Sequence, residues 1–80
     1  MKAVVTLMLR EGVLDPQGAA VAAALSTSGF EGVKGVRQGK ILEIDLDDIN
    51  VDAARARVAD MCERLLANTV VESYRIEIEA

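Results

Sequence analysis

Alternation of apolar and polar residues at the two ends of the chain constrains its fold more than any other feature. Residues 2–10 and residues 70–79 alternate with a period of two, which is the period of a β-strand. Both faces of the first segment are rather apolar. We therefore expect a strand at each end of the chain. One face of the first strand should lie on helices, and its other face should meet something else, such as a second subunit.

A first helix is predicted to follow the first strand. Asp15-Pro16 begins it, because an aspartate carboxylate accepts hydrogen bonds from free N–H groups and proline favours the first helical position. The helix runs to about Ser28, has an alanine-rich surface that can pack closely on a sheet, and ends at Gly29 as a left-handed cap.

A second helix is predicted over roughly residues 51–67. Asn50 caps its start, and Asn68 is expected as a left-handed cap at its end. Its apolar side chains recur at spacings of three and four, which predicts one buried face. The members of this stripe are Ala54, Val58, Met61, Cys62, Leu65 and Leu66.

Two middle strands are predicted between the helices, over residues 32–38 and 40–47. The Gln38-Gly39 pair between them is typical of a tight hairpin, since glycine takes a positive φ without penalty. The predicted order is β-α-β-β-α-β. With right-handed crossovers, this order indicates an α+β, ferredoxin-like sandwich in a single domain over residues 1–80, an antiparallel sheet with two helices on one face.

Composition excludes several classes of function. The 80 residues carry 13 acids against 9 bases, a net charge of -4, and only two aromatic side chains, which argues against binding to nucleic acid or to an anionic membrane. Histidine is absent, so one chain cannot hold a histidine-ligated metal or a histidine-activated nucleophile. Cys62 is the only cysteine and lies on the apolar stripe, so we interpret it as a buried apolar side chain.

Membrane spans and export signals are not expected. The longest apolar run, residues 19–25, is far shorter than the roughly 20 residues of a spanning helix, and residues 1–10 lack the apolar core of a signal peptide. We expect a cytoplasmic protein. A chain this short buries only about 60% of its unfolded surface, so partners are expected from size alone.

Residues 12–18 are the least ordinary local sequence. A helix start explains Asp15-Pro16, but a glycine in the first helical turn, Gly18, costs about 0.5–1 kcal/mol relative to alanine. The close approach of another backbone or of a partner surface would explain it. From the residues alone, a partner interface and helix-start chemistry are equally good interpretations.

Four segments in the same order and at the same spacing resemble the PurS family, the small subunit of phosphoribosylformylglycinamidine synthase. They extend over nearly the whole chain, and the last strand, with Glu72, Tyr74, Ile76 and Glu77, is also similar. Ser28 and Thr69 depart from the leucine and proline that are usual in the family, and Arg10 stands where lysine is common. The segments are Gly12-Val13-Leu14-Asp15-Pro16-Gln17-Gly18, Ala24-Leu25 with Gly29-Phe30, Val36-Arg37-Gln38-Gly39-Lys40, and Met61-Cys62-Glu63-Arg64-Leu65-Leu66-Ala67-Asn68.

The resemblance implies a non-catalytic subunit of an ATP-dependent ligase complex. Such a subunit is a homodimer, with a dimer of dimers as the larger alternative. It bridges a glutaminase subunit and a large synthetase subunit, and it supports assembly and ammonia transfer in the glutamine-dependent conversion of formylglycinamide ribonucleotide to formylglycinamidine ribonucleotide. ATP and magnesium are expected in the large subunit, and no cofactor, metal or catalytic residue is expected in this chain.

The residues expected at partner or dimer interfaces lie in two segments and one flanking arginine. They are Arg10, Gly12, Val13, Leu14, Asp15, Pro16, Gln17, Gly18, Arg37, Gln38, Gly39 and Lys40. A second hypothesis is a regulatory module that binds a small molecule, because Gly32, Lys34, Gly35 and Arg37 cluster near the predicted hairpin.

Overall fold

Three strands and two helices make up the computed structural model, which describes all 80 residues. A π-helical turn over Cys62–Leu66 continues the second helix, closed by the Ala67 N–H donating to the Cys62 carbonyl at 3.0 Å. The elements are β1 (Lys2–Leu9), α1 (Pro16–Thr27), β2 (Gly39–Asp45), α2 (Val51–Met61) and β3 (Glu72–Glu79).

The sheet is antiparallel with β1 at its centre, in the order β2-β1-β3. Val5 lies opposite Leu42 on one side and opposite Ile76 on the other, so the apolar residues of all three strands share one face. The α+β class with an antiparallel sheet and two helices is therefore confirmed.

The strand predicted over residues 32–38 is absent, so the order in one chain is β-α-β-α-β. Val33 and Val36 are three residues apart, a spacing that would place them on opposite faces of a strand. The prediction of a hairpin at Gln38-Gly39 is also wrong. Gly39 is the first residue of β2, pairs with Met8 of β1 and has no positive φ.

The core lies between β1 and α2. Three side chains of β1 and three of the helix side are fully or almost fully buried: Ala3, Val5, Leu7, Ala54, Val58 and Cys62. Burying a valine or leucine side chain stabilises a fold by about 1.5–3 kcal/mol, and two of these six residues are alanines. The core of one chain is therefore small. Leu65, predicted on the buried stripe, is instead 83% exposed.

The helix ends follow from capping chemistry. Asp15 caps α1 and Asn50 caps α2, whose first N–H groups at Asp52 and Ala53 donate to the Asn50 side chain at 2.8 and 3.2 Å. Gly29 takes the expected left-handed conformation, with φ of 92°. Asn68 does not, because its side-chain oxygen accepts from the Val70 N–H and closes a turn instead.

An arm projects from the sheet. Residues 11–38 form it, and the segment after α1 returns to the first turn of that helix at Val36 and Gln38 before it enters β2. α1 takes no substantial part in packing on the sheet, whereas α2 lies over β1 and β3. The radius of gyration is 16.0 Å, against about 12 Å for a compact chain of this length. A membrane crossing would need a longer and more apolar helix than either α1 or α2.

We expect Gly39→Ala to destabilise the chain by about 1–3 kcal/mol, the range for overpacking. A Cβ at Gly39 would collide with the Leu7 carbonyl oxygen and the Met8 sulfur, because β1 and β2 approach closely there. Gly35→Ala is the matched control, since a Cβ at that position meets nothing within 4 Å. Urea unfolding monitored by circular dichroism measures both variants. Equal unfolding midpoints for the two would contradict the packing assigned to Gly39.

Candidate partner-binding surface

The two segments predicted at an interface meet at one end of the sheet. There β1 ends, α1 begins and β2 begins, so residues 10–18 and 37–40 come together; we name this region the junction. Hydrogen bonds between its two segments hold the base of the arm. The structure thus brings together residues that are about 20 positions apart in sequence.

Asp15 is the main connection within the junction. One carboxylate oxygen accepts from the Gly18 N–H at 2.8 Å and caps α1, while the other accepts from the Gln38 N–H at 2.9 Å. Gln38 also donates its side-chain amide to the Gln17 side chain at 2.7 Å. One aspartate therefore fixes the start of α1 and the return of the chain into β2.

These contacts lower the pKa of the Asp15 carboxyl below its ordinary value. The Gln38 N–H contributes most, followed by the Gly18 N–H, and the nearby Arg37 guanidinium adds a smaller effect. Arg37 also donates to the Leu9 carbonyl oxygen at the end of β1. The charged carboxylate is thus the form that the junction stabilises.

Gly18 is explained by contacts within the chain. A Cβ there would fall on the Val36 carbonyl oxygen, because the returning segment crosses the first turn of α1 at this point. The sequence suggested the close approach of another backbone or of a partner surface as the reason for Gly18, and the backbone at Val36 of the same chain makes that approach without a partner. A substitution at Gly18 is therefore a test of stability and not of partner binding.

The remaining predicted residues differ in their surroundings. Arg10 donates through its guanidinium to the Thr69 carbonyl at 3.0 and 3.3 Å, so it ties the end of β1 to the loop before β3. Gly12 makes a turn with φ of 85°, and Val13 follows it half-buried. Leu14 is 88% exposed, so an apolar side chain at the junction is open for contact.

A cleft of about 330 Å³ opens beside the junction. Six of the residues that line it were predicted from the sequence to lie at an interface. Leu9, Glu72 and the buried Leu7 were not. Glu72 could have been found from the strand register, because an antiparallel β3 places it opposite Leu9. The residues that line the cleft are Leu7, Leu9, Asp15, Pro16, Gln17, Gln38, Gly39, Lys40 and Glu72.

The chemistry of this surface suits recognition. Lys40 and Glu72 place opposite charges at the cleft, and Leu14 adds an apolar contact outside it. The small-molecule hypothesis rested on four residues near the predicted hairpin, and none of them lines a cavity: Gly32, Lys34, Gly35 and Arg37. The geometry therefore does not favour that hypothesis.

The groups with altered pKa elsewhere have structural roles. Burial raises the pKa of the Cys62 thiol, with a smaller effect from the Glu63 charge, so the buried thiol stays protonated. The Tyr74 hydroxyl donates to Glu63 at 2.8 Å, which joins β3 to the π-helical turn and raises the tyrosine pKa. No group of three or more metal-ligating side chains occurs.

We expect Asp15→Asn to lower the unfolding midpoint at pH 7. Because the folded-state pKa of Asp15 is lowered, its stabilising effect is present above the ordinary pKa and is lost as pH falls through the folded value. The gap between wild type and variant should therefore narrow from pH 7 to about pH 2.5. Thermal unfolding across this range measures it, with the exposed Asp47→Asn as control. A gap that does not change with pH would contradict the role given to the carboxylate.

Comparison with known proteins identifies the family. The PurS family model, described as phosphoribosylformylglycinamidine (FGAM) synthase, matches residues 2–80. The PurS subunit of phosphoribosylformylglycinamidine synthase from Mycobacterium leprae is 48% identical over 79 residues, which are 99% of this chain and 96% of that protein.

Two solved structures have the same fold. PurS of Methanocaldococcus jannaschii, described as one of the subunits of formylglycinamide ribonucleotide amidotransferase, matches with a TM-score of 0.88 at 38% identity, covering 98% of this chain and 94% of that one. A chain of PurLQS from Thermotoga maritima matches with a TM-score of 0.85 at 32% identity, covering 95% and 93%. Because the family model and these relatives extend over nearly the whole chain, the chain belongs to the PurS family of phosphoribosylformylglycinamidine synthase.

Proposed function

We propose that this chain is the small, non-catalytic subunit of a cytoplasmic, multi-subunit phosphoribosylformylglycinamidine synthase. As a homodimer, it joins a glutaminase subunit to a large synthetase subunit. The complex converts formylglycinamide ribonucleotide to formylglycinamidine ribonucleotide, using ammonia that the glutaminase releases from glutamine. The likeness to a chain of PurLQS, a structure named for three components, is the observation that carries the proposal.

The division of chemistry among the subunits is the one that membership of this family implies, and the residues of this chain support it. ATP, magnesium and substrate activation are assigned to the large subunit, and glutamine hydrolysis to the glutaminase. This chain has no histidine, and its one thiol is buried and kept protonated. We therefore assign to this chain the binding of the other two subunits. A complex that transfers ammonia needs such contacts, because they hold its two active sites at a fixed position relative to each other.

The junction is the part of this chain's surface that we expect to bind another subunit. Its backbone is fixed by the two hydrogen bonds of Asp15, so little ordering is needed when a partner binds. The cleft offers one positive charge, at Lys40, and two negative charges, at Asp15 and Glu72, and Leu14 is available as an apolar anchor. A rigid cleft with mixed charges and an exposed leucine has the anatomy of a protein interface.

We expect glutamine-dependent synthase activity of the purified glutaminase and large subunits to require this chain. Activity with free ammonia should change little when the chain is added, because ammonia then reaches the large subunit from solution. Steady-state product formation, with and without the chain, measures both activities. If the chain leaves both unchanged, the proposed function is wrong.

The same assay locates the contact surface. Lys40→Glu removes the one basic side chain of the cleft and adds a third acid to Asp15 and Glu72. It should raise the concentration of chain needed for half-maximal activation about tenfold, which corresponds to about 1.4 kcal/mol. Lys34→Glu, at an exposed position that lines neither cavity, is the control with the same charge change and should behave as wild type. Equal activation by the two variants would remove the cleft from the interface.

A further inference from the structure

One side of the sheet is covered by no helix. Ala3, Val5 and Leu7 of β1 point toward α2 and are buried, so the alternate residues of β1 point the other way. α1 takes no substantial part in packing on the sheet. We call the side away from α2 the outer face. It carries the even-numbered residues of β1 and the odd-numbered residues of β2 and β3.

An apolar patch lies at the centre of the outer face. Ile41 is 64% exposed, lies opposite Thr6 and is diagonal to Val4 and Met8. The Met8 side chain lies across Gly39, where a Cβ would collide with its sulfur, so the patch extends onto β2. A sheet face that meets only water is polar on its strands, as all four outer residues of β3 are. The apolar side chains of β1 and β2 depart from that pattern and indicate a contact surface.

Acidic side chains outnumber basic ones around the patch. Lys2 shares its ammonium group between Glu43 at 3.5 Å and Glu79 at 3.9 Å, whereas Asp45 takes part in none of the ion pairs of the chain. Four acids against two bases leave an excess of two negative charges on this face. The acids are Glu43, Asp45, Glu77 and Glu79, and the bases are Lys2 and Arg75.

These charges select the kind of partner. A second copy of this chain would bring the same excess of negative charge to the contact, and like charges at an interface are unfavourable. A surface with lysine or arginine side chains around apolar ones would be complementary in both respects. The charge pattern therefore favours a different protein with a basic surface.

The outer face and the cleft of the junction lie on opposite sides of the sheet. Leu7, Leu9, Lys40 and Glu72 line the cleft, and the strand register places all four on the side of α2. A protein that joins two others needs two separate surfaces, because partners that bind at one place exclude each other. The junction supplies one such surface.

We propose that the outer face is the second one, and that it binds whichever of the glutaminase and large subunits does not bind the junction. The partner surface has apolar side chains that cover Val4, Met8 and Ile41, with lysine or arginine side chains around them. This inference rests on the proposed function, since it assigns the second contact that bridging requires.

Two neighbouring residues of β2 test the two surfaces separately. Lys40 lies in the cleft and Ile41 on the outer face, because successive side chains of a strand point to opposite sides. Ile41→Lys should weaken binding to one purified subunit by about tenfold or more, whereas Lys40→Glu should weaken binding to the other. Surface plasmon resonance with each subunit immobilised in turn measures both. Val70→Lys, at a side chain 82% exposed that lies on neither surface, is the control for Ile41→Lys and should bind both subunits as wild type does.

Three results would overturn the proposal. They are loss of the same subunit by Ile41→Lys and Lys40→Glu, binding by Ile41→Lys that equals wild type, and a wild-type chain that binds only one of the two subunits or neither. Unfolding of the variant is excluded by circular dichroism, in which Ile41→Lys should keep the wild-type spectrum because the side chain is mostly exposed.

A charge reversal tests the complementarity by itself. Asp45→Lys should weaken binding to the same subunit as Ile41→Lys, because it replaces an unpaired acid that faces the basic partner. Glu31→Lys makes the same charge change at an exposed position of the arm and should leave binding to that subunit unchanged. Equal binding by these two variants would overturn the assignment of a basic partner surface.

The synthase assay separates this inference from the proposed function. If the wild-type chain supports glutamine-dependent activity and Ile41→Lys does so equally well, the function stands and the outer face is not an interface. If each subunit binds a different side of the sheet but the chain leaves activity unchanged, the function is wrong and the outer face is still an interface.

Discussion

Packing of β1 against α2 is the interaction on which the rest of the structure depends. Val5 and Leu7 meet Val58 and Cys62 there, and the other two strands are attached to β1 through its hydrogen bonds. This contact holds the sheet, but it is too small to enclose the whole chain. The arm of residues 11–38 is what the small core leaves uncovered.

The direction of the arm is set at its base. Asp15 holds the start of α1 and the return of the chain at Gln38, and Arg37 joins that return to the end of β1. A helix held in this way cannot fold back over β2 of its own chain without breaking these hydrogen bonds. The same contacts make the junction rigid, which is what a surface that binds another subunit requires.

Local chemistry made much of this fold predictable. Asp15, Asn50 and Gly29 act as caps through interactions within a few residues, so the sequence shows them directly. The absent strand was not predictable in this way, because residues 32–38 are placed by contacts with α1 and Asp15 that no local pattern reveals. Gly39 is glycine because β1 passes close to it, and sequence alone does not distinguish that requirement from a positive φ. Most of the cleft residues were predicted from the sequence. Glu72 was not, because only the register of β3 brings it to the cleft.

The proposed bridging role depends on the association of two copies of this chain. The most direct test is the dependence of the urea unfolding midpoint on protein concentration. If two copies fold together, a hundredfold increase in concentration stabilises the folded state by about 2.7 kcal/mol and raises the midpoint. A midpoint that stays the same over that range would show that each chain is complete by itself and would contradict the account.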